Sequence, residues 1–344
     1  MKKILSTISV LFATVISAFA YGGSEAYSFL SLPASSQVAA LGGDNVSLAT
    51  GDVMLGQQNP ALLSLTPSTS VGLSYFNYIA DVQYGAVGYS QQIDSLSWWG
   101  VGVNFLSYGT LKGYNEFDQP TGDFSAKDMN LQLSYVRRLA SRLCLGLSLK
   151  PVYSYIEDYS SVGLAMDLGA VYVVPEQLFS AGVAVRNFGA QFTAYDEHRS
   201  DLPWDIQLGL TKKLAKAPFR FSVTYVKLNK WNFDYNKVGD LYKAGDMADS
   251  DYKSHVEWGD MLLRHMLFGV EFVPSTHFSL AASYNHRRHK EYVMENSAGG
   301  SGWSFGAQLH VSKFHLGASY SLYGAGEGVF GISLSSCISD FKKN

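Results

Sequence analysis

Four groupings of residues could carry chemistry. His286-Arg287-Arg288-His289 places two imidazoles three residues apart, and His255 lies within the polar stretch 229–262 with His265 just after it. Metal binding needs convergent ligands with a supporting shell, and the chain contains neither H-E-x-x-H nor C-x-x-C. These histidines read as solvated loop residues, and neither metal nor cofactor is expected. Serine, histidine and aspartate are all present, but no G-x-S-x-G context marks a nucleophile, so enzymatic activity is not expected. Lys150, Asp167 and Arg186 alternate in sign. If they share one interior face, they form an ion network, because unpaired charge in an enclosed space is costly; the other reading is a lining for a polar permeant. The fourth grouping is Trp231, Phe233, Tyr235, Tyr242, Tyr252 and Trp258, set among seven acids and four lysines in 229–262. Such rings supply contact area for a docked partner, or they fold over as a lid.

These groups must be positioned by an unusual chain. It has 344 residues with 26 Lys+Arg against 29 Asp+Glu, a formal charge of −3. That balance excludes the basic footprint of a nucleic-acid binder. Charged residues make up only 16%, against roughly 25% in ordinary soluble domains. Aromatics reach 14%, with 33 Gly and 9 Pro. A mean hydropathy of +0.01 excludes a bundle of membrane helices, each of which needs about 20 apolar residues in a row.

Lys2 and Lys3, an apolar run from Ile4 to about Ile16 and then Ala18-Phe19-Ala20 read as a signal peptide over 1–20. From residue 70 onward the pattern has period two. Trp99, Val101, Val103 and Phe105 alternate with glycines and Asn104; Leu143, Leu145, Leu147 and Leu149 alternate with Cys144, Gly146, Ser148 and Lys150. Successive strand side chains point to opposite faces, so each strand has one apolar face and one polar or small one. Fourteen strands are expected, near 70–78, 82–91, 97–108, 128–138, 143–156, 161–173, 179–188, 203–212, 218–228, 263–273, 277–287, 303–311, 314–323 and 328–337. Most are close to the roughly 9–11 residues a tilted strand needs to cross a bilayer.

Connections alternate in length. Those centred on 140–142, 215–217, 275–276 and 312–313 are short, while 109–127, 189–202, 229–262 and 288–302 are long. Short turns on one side and long loops on the other mark an outer-membrane barrel. The expected fold is therefore an all-β transmembrane antiparallel barrel over 67–344. Tyr75, Tyr78, Tyr89, Trp98, Trp99, Tyr108, Tyr135, Tyr153, Tyr155 and Tyr172 fall near strand ends, where aromatic girdles form. Residues 21–66 do not alternate. With Asn59-Pro60-Ala61 at their centre, they read as a plug with one short helix, since fourteen strands enclose more than side chains fill. Cys144 and Cys337 lie on strands too far apart round the ring for a bridge, so two free thiols are expected.

Tyr27-Ser28-Phe29-Leu30, Leu32-Pro33-Ala34-Ser35, Leu41-Gly42-Gly43 and Gln58-Asn59-Pro60-Ala61-Leu62-Leu63-Ser64 resemble the start of the PorQ family. The same is true of Tyr153-Ser154-Tyr155-Ile156-Glu157, Asp167-Leu168-Gly169, Asn187-Phe188-Gly189, Leu202-Pro203 and Ala217-Pro218-Phe219-Arg220. The resemblance spans nearly the whole chain after the signal peptide. The Asn-Pro-Ala element by itself is shared with PorV and with long-chain fatty-acid channels. What the resemblance implies is a fatty-acid-channel-type barrel of the bacterial outer membrane, part of the type IX secretion system. Its implied role is to hold a PorZ-like surface protein in the attachment complex with PorV and the sortase-like protease PorU, among outer-membrane lipid and lipopolysaccharide. Transport of hydrophobic small molecules is the alternative, from the same fold. The family supplies no catalytic residues.

Overall fold

The computed structural model describes residues 25–341 apart from 116, 196–198, 232–257, 293–299 and 325–326. The expected signal peptide therefore lies outside the described residues. The apolar-polar alternation is realised as a closed ring of fourteen antiparallel strands, each paired with the next in sequence, with the last closing on the first. They are β1 (Thr69–Asn77), β2 (Gln83–Gln92), β3 (Ser97–Tyr114), β4 (Pro120–Ala140), β5 (Leu143–Ile156), β6 (Tyr159–Val174) and β7 (Phe179–Thr193). The ring continues through β8 (Asp205–Lys213), β9 (Phe219–Tyr225), β10 (Met266–Phe272), β11 (Phe278–Asn285), β12 (Trp303–Val311), β13 (Phe314–Gly324) and β14 (Glu327–Cys337). Closure runs from Ser70 opposite Cys337 to Asn77 opposite Phe330.

The two faces are inverted relative to a soluble protein. Along β5, Cys144, Gly146, Ser148, Lys150, Val152 and Ser154 point inward and are buried, while Leu145, Leu147, Leu149 and Tyr153 are exposed. Leu73, Val103, Leu133, Leu168, Phe268 and Ile332 continue this exposed apolar belt round the ring. An apolar exterior over a polar interior is the wall of a membrane-spanning barrel. Closure is what makes such a wall tolerable, because lipid offers no partner to an open strand edge. Tyr75, Trp99, Tyr135, Tyr153, Tyr155 and Tyr172 face outward as a girdle requires. Tyr78, Trp98 and Tyr108 do not: Tyr78 and Tyr108 pack against the interior core, and Trp98 turns inward and is buried, with the Arg138 guanidinium 5.0 Å from its ring centre.

The wall is uneven in height. β3 and β4 have 18 and 21 residues, whereas β9 and β10 have 7 each. The expected loop at 109–127 is mostly strand. Thr110 to Gly113 pair with Ser125 to Gly122, beyond the last residues that β2 or β5 reaches at Ser107 and Ala126. This two-stranded ribbon leaves the ring at a bulge between Ser107 and Thr110, where Gly109 has φ +72°. Its sequence looked like a loop because both faces meet water, so no apolar face marks the alternation. The expected loops at 189–202 and 288–302 are likewise shorter. β7 runs on to Thr193, and a helix, α3 (His286–Tyr292), follows β11 directly.

Residues 25–66 lie inside the ring. They hold one short helix, α1 (Ser36–Ala40), and 3-10 turns at Ser28–Ser31, Val53–Gln57 and Pro60–Leu65. The side chains of Ser35, Asp52 and Asn59 accept hydrogen bonds from the backbone N–H groups of Gln37, Met54 and Ala61 and so start three of these four elements. A second helix outside the ring, α2 (Trp258–Arg264), leads into β10.

Closure and the separation of the two thiols, both free and buried, give a joint expectation. The folded chain should migrate differently on a denaturing gel before and after boiling, and unfolding without reductant should expose two reactive thiols per chain. Unchanged mobility would count against the closed ring.

Candidate functional site

The site is the seam between plug and wall, together with the mouth of the ring that bears the long connections. Asn59, Pro60 and Ala61 sit at its centre. The Asn59 amide nitrogen donates to the carbonyl oxygens of Val46 (2.8 Å), Ala170 (3.1 Å) and Val183 (3.5 Å). One side chain thus ties two segments of the plug to β6 and β7. The wall makes room with glycine. A Cβ on Gly169 would collide with the Asn59 side chain, one on Gly146 would come 2.5 Å from the Ala61 nitrogen, and one on Gly182 would strike the Val46 carbonyl. Gly146 and Gly169 are register partners, so the two form a single notch.

The structure brings Lys150 and Asp167 together and sends Arg186 elsewhere. Lys150 Nζ lies 2.5 Å from Asp167 Oδ2, and both side chains are buried. Lys150 also donates to Asn187 Oδ1 (3.0 Å), and the Asn187 backbone N–H donates to Asp167 Oδ1 (2.7 Å). Arg186 instead pairs with Asp44 of the plug at 2.7 Å. Asn187 has φ +54°, and this irregularity in β7 leaves Arg186 and Asn187 both buried in succession. The expected network is therefore two pairs, one within the wall and one from wall to plug.

Sequence reasoning missed the other half of this arrangement. Glu271 accepts from Arg220 Nε (2.6 Å) and Nη2 (2.7 Å) and from the Gln37 amide of the plug (3.0 Å). A signal existed, since Glu271 is the one charge on the inward face of β10. Asp44, Gln37 and Asn187 carried no comparable signal, because their role depends on the path of the plug.

At the mouth, Trp231 stacks on the ring of His265 (5.1 Å between centres), with Tyr225 on the other side at 5.4 Å. Trp258 opens α2 and is 70% exposed. Phe233, Tyr235, Tyr242 and Tyr252 lie outside the described residues, so this grouping is placed only at its two ends. The histidines of 286–289 are not loop residues. They belong to α3, where His286 Nε2 lies 2.7 Å from Asp260 Oδ1 of α2 while Arg264 Nε holds Asp260 Oδ2 at 2.8 Å. Arg288 is buried beneath them. It donates to Gly42 O of the plug and to Ser304 Oγ, each at 3.0 Å, and lies over the Tyr323 ring.

Two tests follow from this geometry. Asn59→Ala leaves buried carbonyls short of a donor and should cost about 1–3 kcal/mol, and Gly169→Val should cost a similar amount by overpacking the notch. Both variants should keep the heat-shifted mobility of a closed ring while residues 25–66 become sensitive to protease. The second concerns Asp260. Burial pushes its carboxyl up, but hydrogen bonds from His286 and Arg264 outweigh that and hold it below the ordinary aspartate range. A carboxyl depressed by folding contributes stability above its unfolded value and loses it as pH falls through the folded one. The α2–α3 contact should therefore hold at neutral pH and loosen below about pH 4. Amide exchange in α3, corrected for intrinsic rates, should rise there in the wild type. In Asp260→Asn it should already be fast at pH 7 and show no such step.

No family model matches the chain, and no curated protein matches it. Among solved structures it is similar to the toluene transporter TodX of Pseudomonas putida, with 14% identity, a TM-score of 0.50, and 87% of this chain and 95% of that chain covered. It is similar to CymD, a monoaromatic hydrocarbon channel, with 12% identity, a TM-score of 0.54, and coverage of 91% and 99%. A FadL homologue of Pseudomonas aeruginosa gives 10% identity, a TM-score of 0.52, and coverage of 88% and 98%. At these identities the likeness is one of fold alone, a closed barrel matched over most of each chain.

Proposed function

We propose that the chain is a plugged barrel of the bacterial outer membrane that serves, without catalysis, as a fixed mount at the cell surface. In this reading it belongs to the type IX secretion system and holds a PorZ-like surface protein beside PorV and the sortase-like protease PorU. The observation that carries the reading is the way the plug is fastened. Asn59, Asp44 and Gln37 tie it to β6–β7, β7 and β10, and glycine notches receive it. A lumen filled and cross-tied in this way favours holding over conduction. The secretion role itself rests on the family resemblance of the sequence; the solved structures do not speak for it.

A second reading has its own support. Solved structures similar to this chain are named as hydrocarbon channels or a FadL homologue. That likeness favours passage of a hydrophobic small molecule over the mount. It would need a route between plug and wall.

Affinity purification of the tagged protein from outer membranes of its own host, in mild detergent, separates the two. The mount predicts near-stoichiometric recovery of a PorZ-like protein with the sortase-like protease. A barrel recovered alone with a bound hydrophobic compound, together with host uptake of that compound lost on deletion, would replace the mount with the channel.

A further inference from the structure

The plug meets β2 and β3 across glycine. A Cβ on Gly88 would lie 2.9 Å from Met54 Sδ, one on Gly100 2.8 Å from Leu63 Cδ1, and one on Gly102 3.2 Å from Gln57 Nε2. So close a fit leaves a small gap, a cavity of about 10 Å³ bordered by Gly56, Gln57, Gly102, Gln132 and Ser134 among others. That is room for a single water molecule.

Two carboxamides, one from the plug and one from the wall, border this cavity with their nitrogens already engaged. Gln132 Nε2 of β4 donates to Gly56 O (3.2 Å) and to Ser148 Oγ (3.1 Å), with Ser134 Oγ at 3.4 Å. Gln57 Nε2 donates to Val87 O of β2 (3.4 Å). These acceptors decide which end of each amide is oxygen. Because Gln132 bonds to the residue before Gln57, the two carboxamides are neighbours on the cavity wall. Gln132 is 2% exposed and Gln57 7%, and among the described residues neither Oε1 has a hydrogen-bond partner. A buried acceptor without a donor is costly.

The same need extends along this flank. Asn104 and Asn130 stand directly opposite each other, two residues along from Gly102 and Gln132. Asn104 Oδ1, both polar ends of Asn130 and both ends of Gln58 are likewise buried and unpaired. A cation does not suit the cavity. Among the described residues no carboxylate lines it, and a hard cation would need about six oxygens.

We propose that this cavity is a site for one buried water that joins plug to wall, donating one hydrogen to Gln57 Oε1 and the other to Gln132 Oε1. Water matches two acceptors with two O–H donors in so small a space. The plug is then fastened by direct bonds to β6, β7 and β10, and on the β2–β4 flank by direct bonds and a water together. A mount and a channel would both carry such a bridge, so the inference is independent of the role proposed above.

Solid-state NMR of the full-length protein in lipid vesicles, deuterated and back-exchanged at N–H, reads the transfer of magnetisation from water to side-chain amides. In the wild type the Gln57 and Gln132 amides should gain signal early. The Asn59 amide, held by carbonyl oxygens, should lag. Gly102→Ala adds a methyl beside both amides, 3.2 Å from Gln57 Nε2 and 3.5 Å from Gln132 Cβ, and the early transfer should be lost. Ser134 and Ser148 remain in that variant, so transfer that persists there comes through their exchangeable hydroxyls and overturns the proposal. If heat-shifted mobility shows that Gly102→Ala does not close, Ser134→Ala/Ser148→Ala takes its place: early transfer should then be retained, and its loss assigns the signal to the hydroxyls and overturns the water. Gln57 and Gln132 amides that gain signal no earlier than Asn59 in the wild type overturn it as well.

Discussion

A wall that meets lipid must satisfy all of its own backbone hydrogen bonds, and in this chain that requirement closes fourteen strands into a ring. Closure creates the next difficulty, a lumen wider than the wall's own side chains fill. The chain answers with 42 residues of its own, 25–66, drawn inside the ring. Much else in the molecule follows from that pairing. The inward glycines at 146, 169 and 182 exist where plug backbone comes closest. The interior charges are held by partners on the plug or on the next strand, as buried charge requires.

The interior polarity and the exterior apolarity answer to different neighbours. Outside, any apolar side chain of suitable size serves, and the belt is correspondingly a mixture of Leu, Val, Ile and Phe. Inside, each position meets one particular group. Asp167 faces Lys150 and the Asn187 backbone N–H, and Glu271 faces Arg220 and Gln37. A substitution on the lipid face changes a transfer free energy. One inside leaves a named partner without its bond, which costs more.

This division also explains what was legible in the sequence. The strands of the ring were readable because lipid on one side and plug on the other impose a strict period of two. Where that contrast ends, so did the reading: the ribbon at 110–125 has water on both faces and looked like a loop. Lys150 and Asp167 could be placed together because they belong to neighbouring strands at one depth. Arg186 could be placed on the inward face but not given its partner, since Asp44 is 142 residues away and reaches it only through the path of the plug. A longer separation, 246 residues, hid the role of Arg288, whose anchor on Gly42 cannot be inferred from a run of basic residues. The seam motif Asn59-Pro60-Ala61 was visible as a motif; that its amide spans two wall strands was not.

Plug residues Gly42 and Asp44, two apart in the chain, are held from two separate places on the ring, β7 and the connection between β11 and β12. Arg288 of α3 grips the carbonyl of Gly42, and Asp44 is held by Arg186 of β7. In mechanical terms this is a load path. A pull applied to α3 passes through one guanidinium into the plug, and through a second into β7. The plug thus acts as a tie between two sectors of the rim, so tension at α3 is shared by strands that are not neighbours instead of peeling a single hairpin from the membrane.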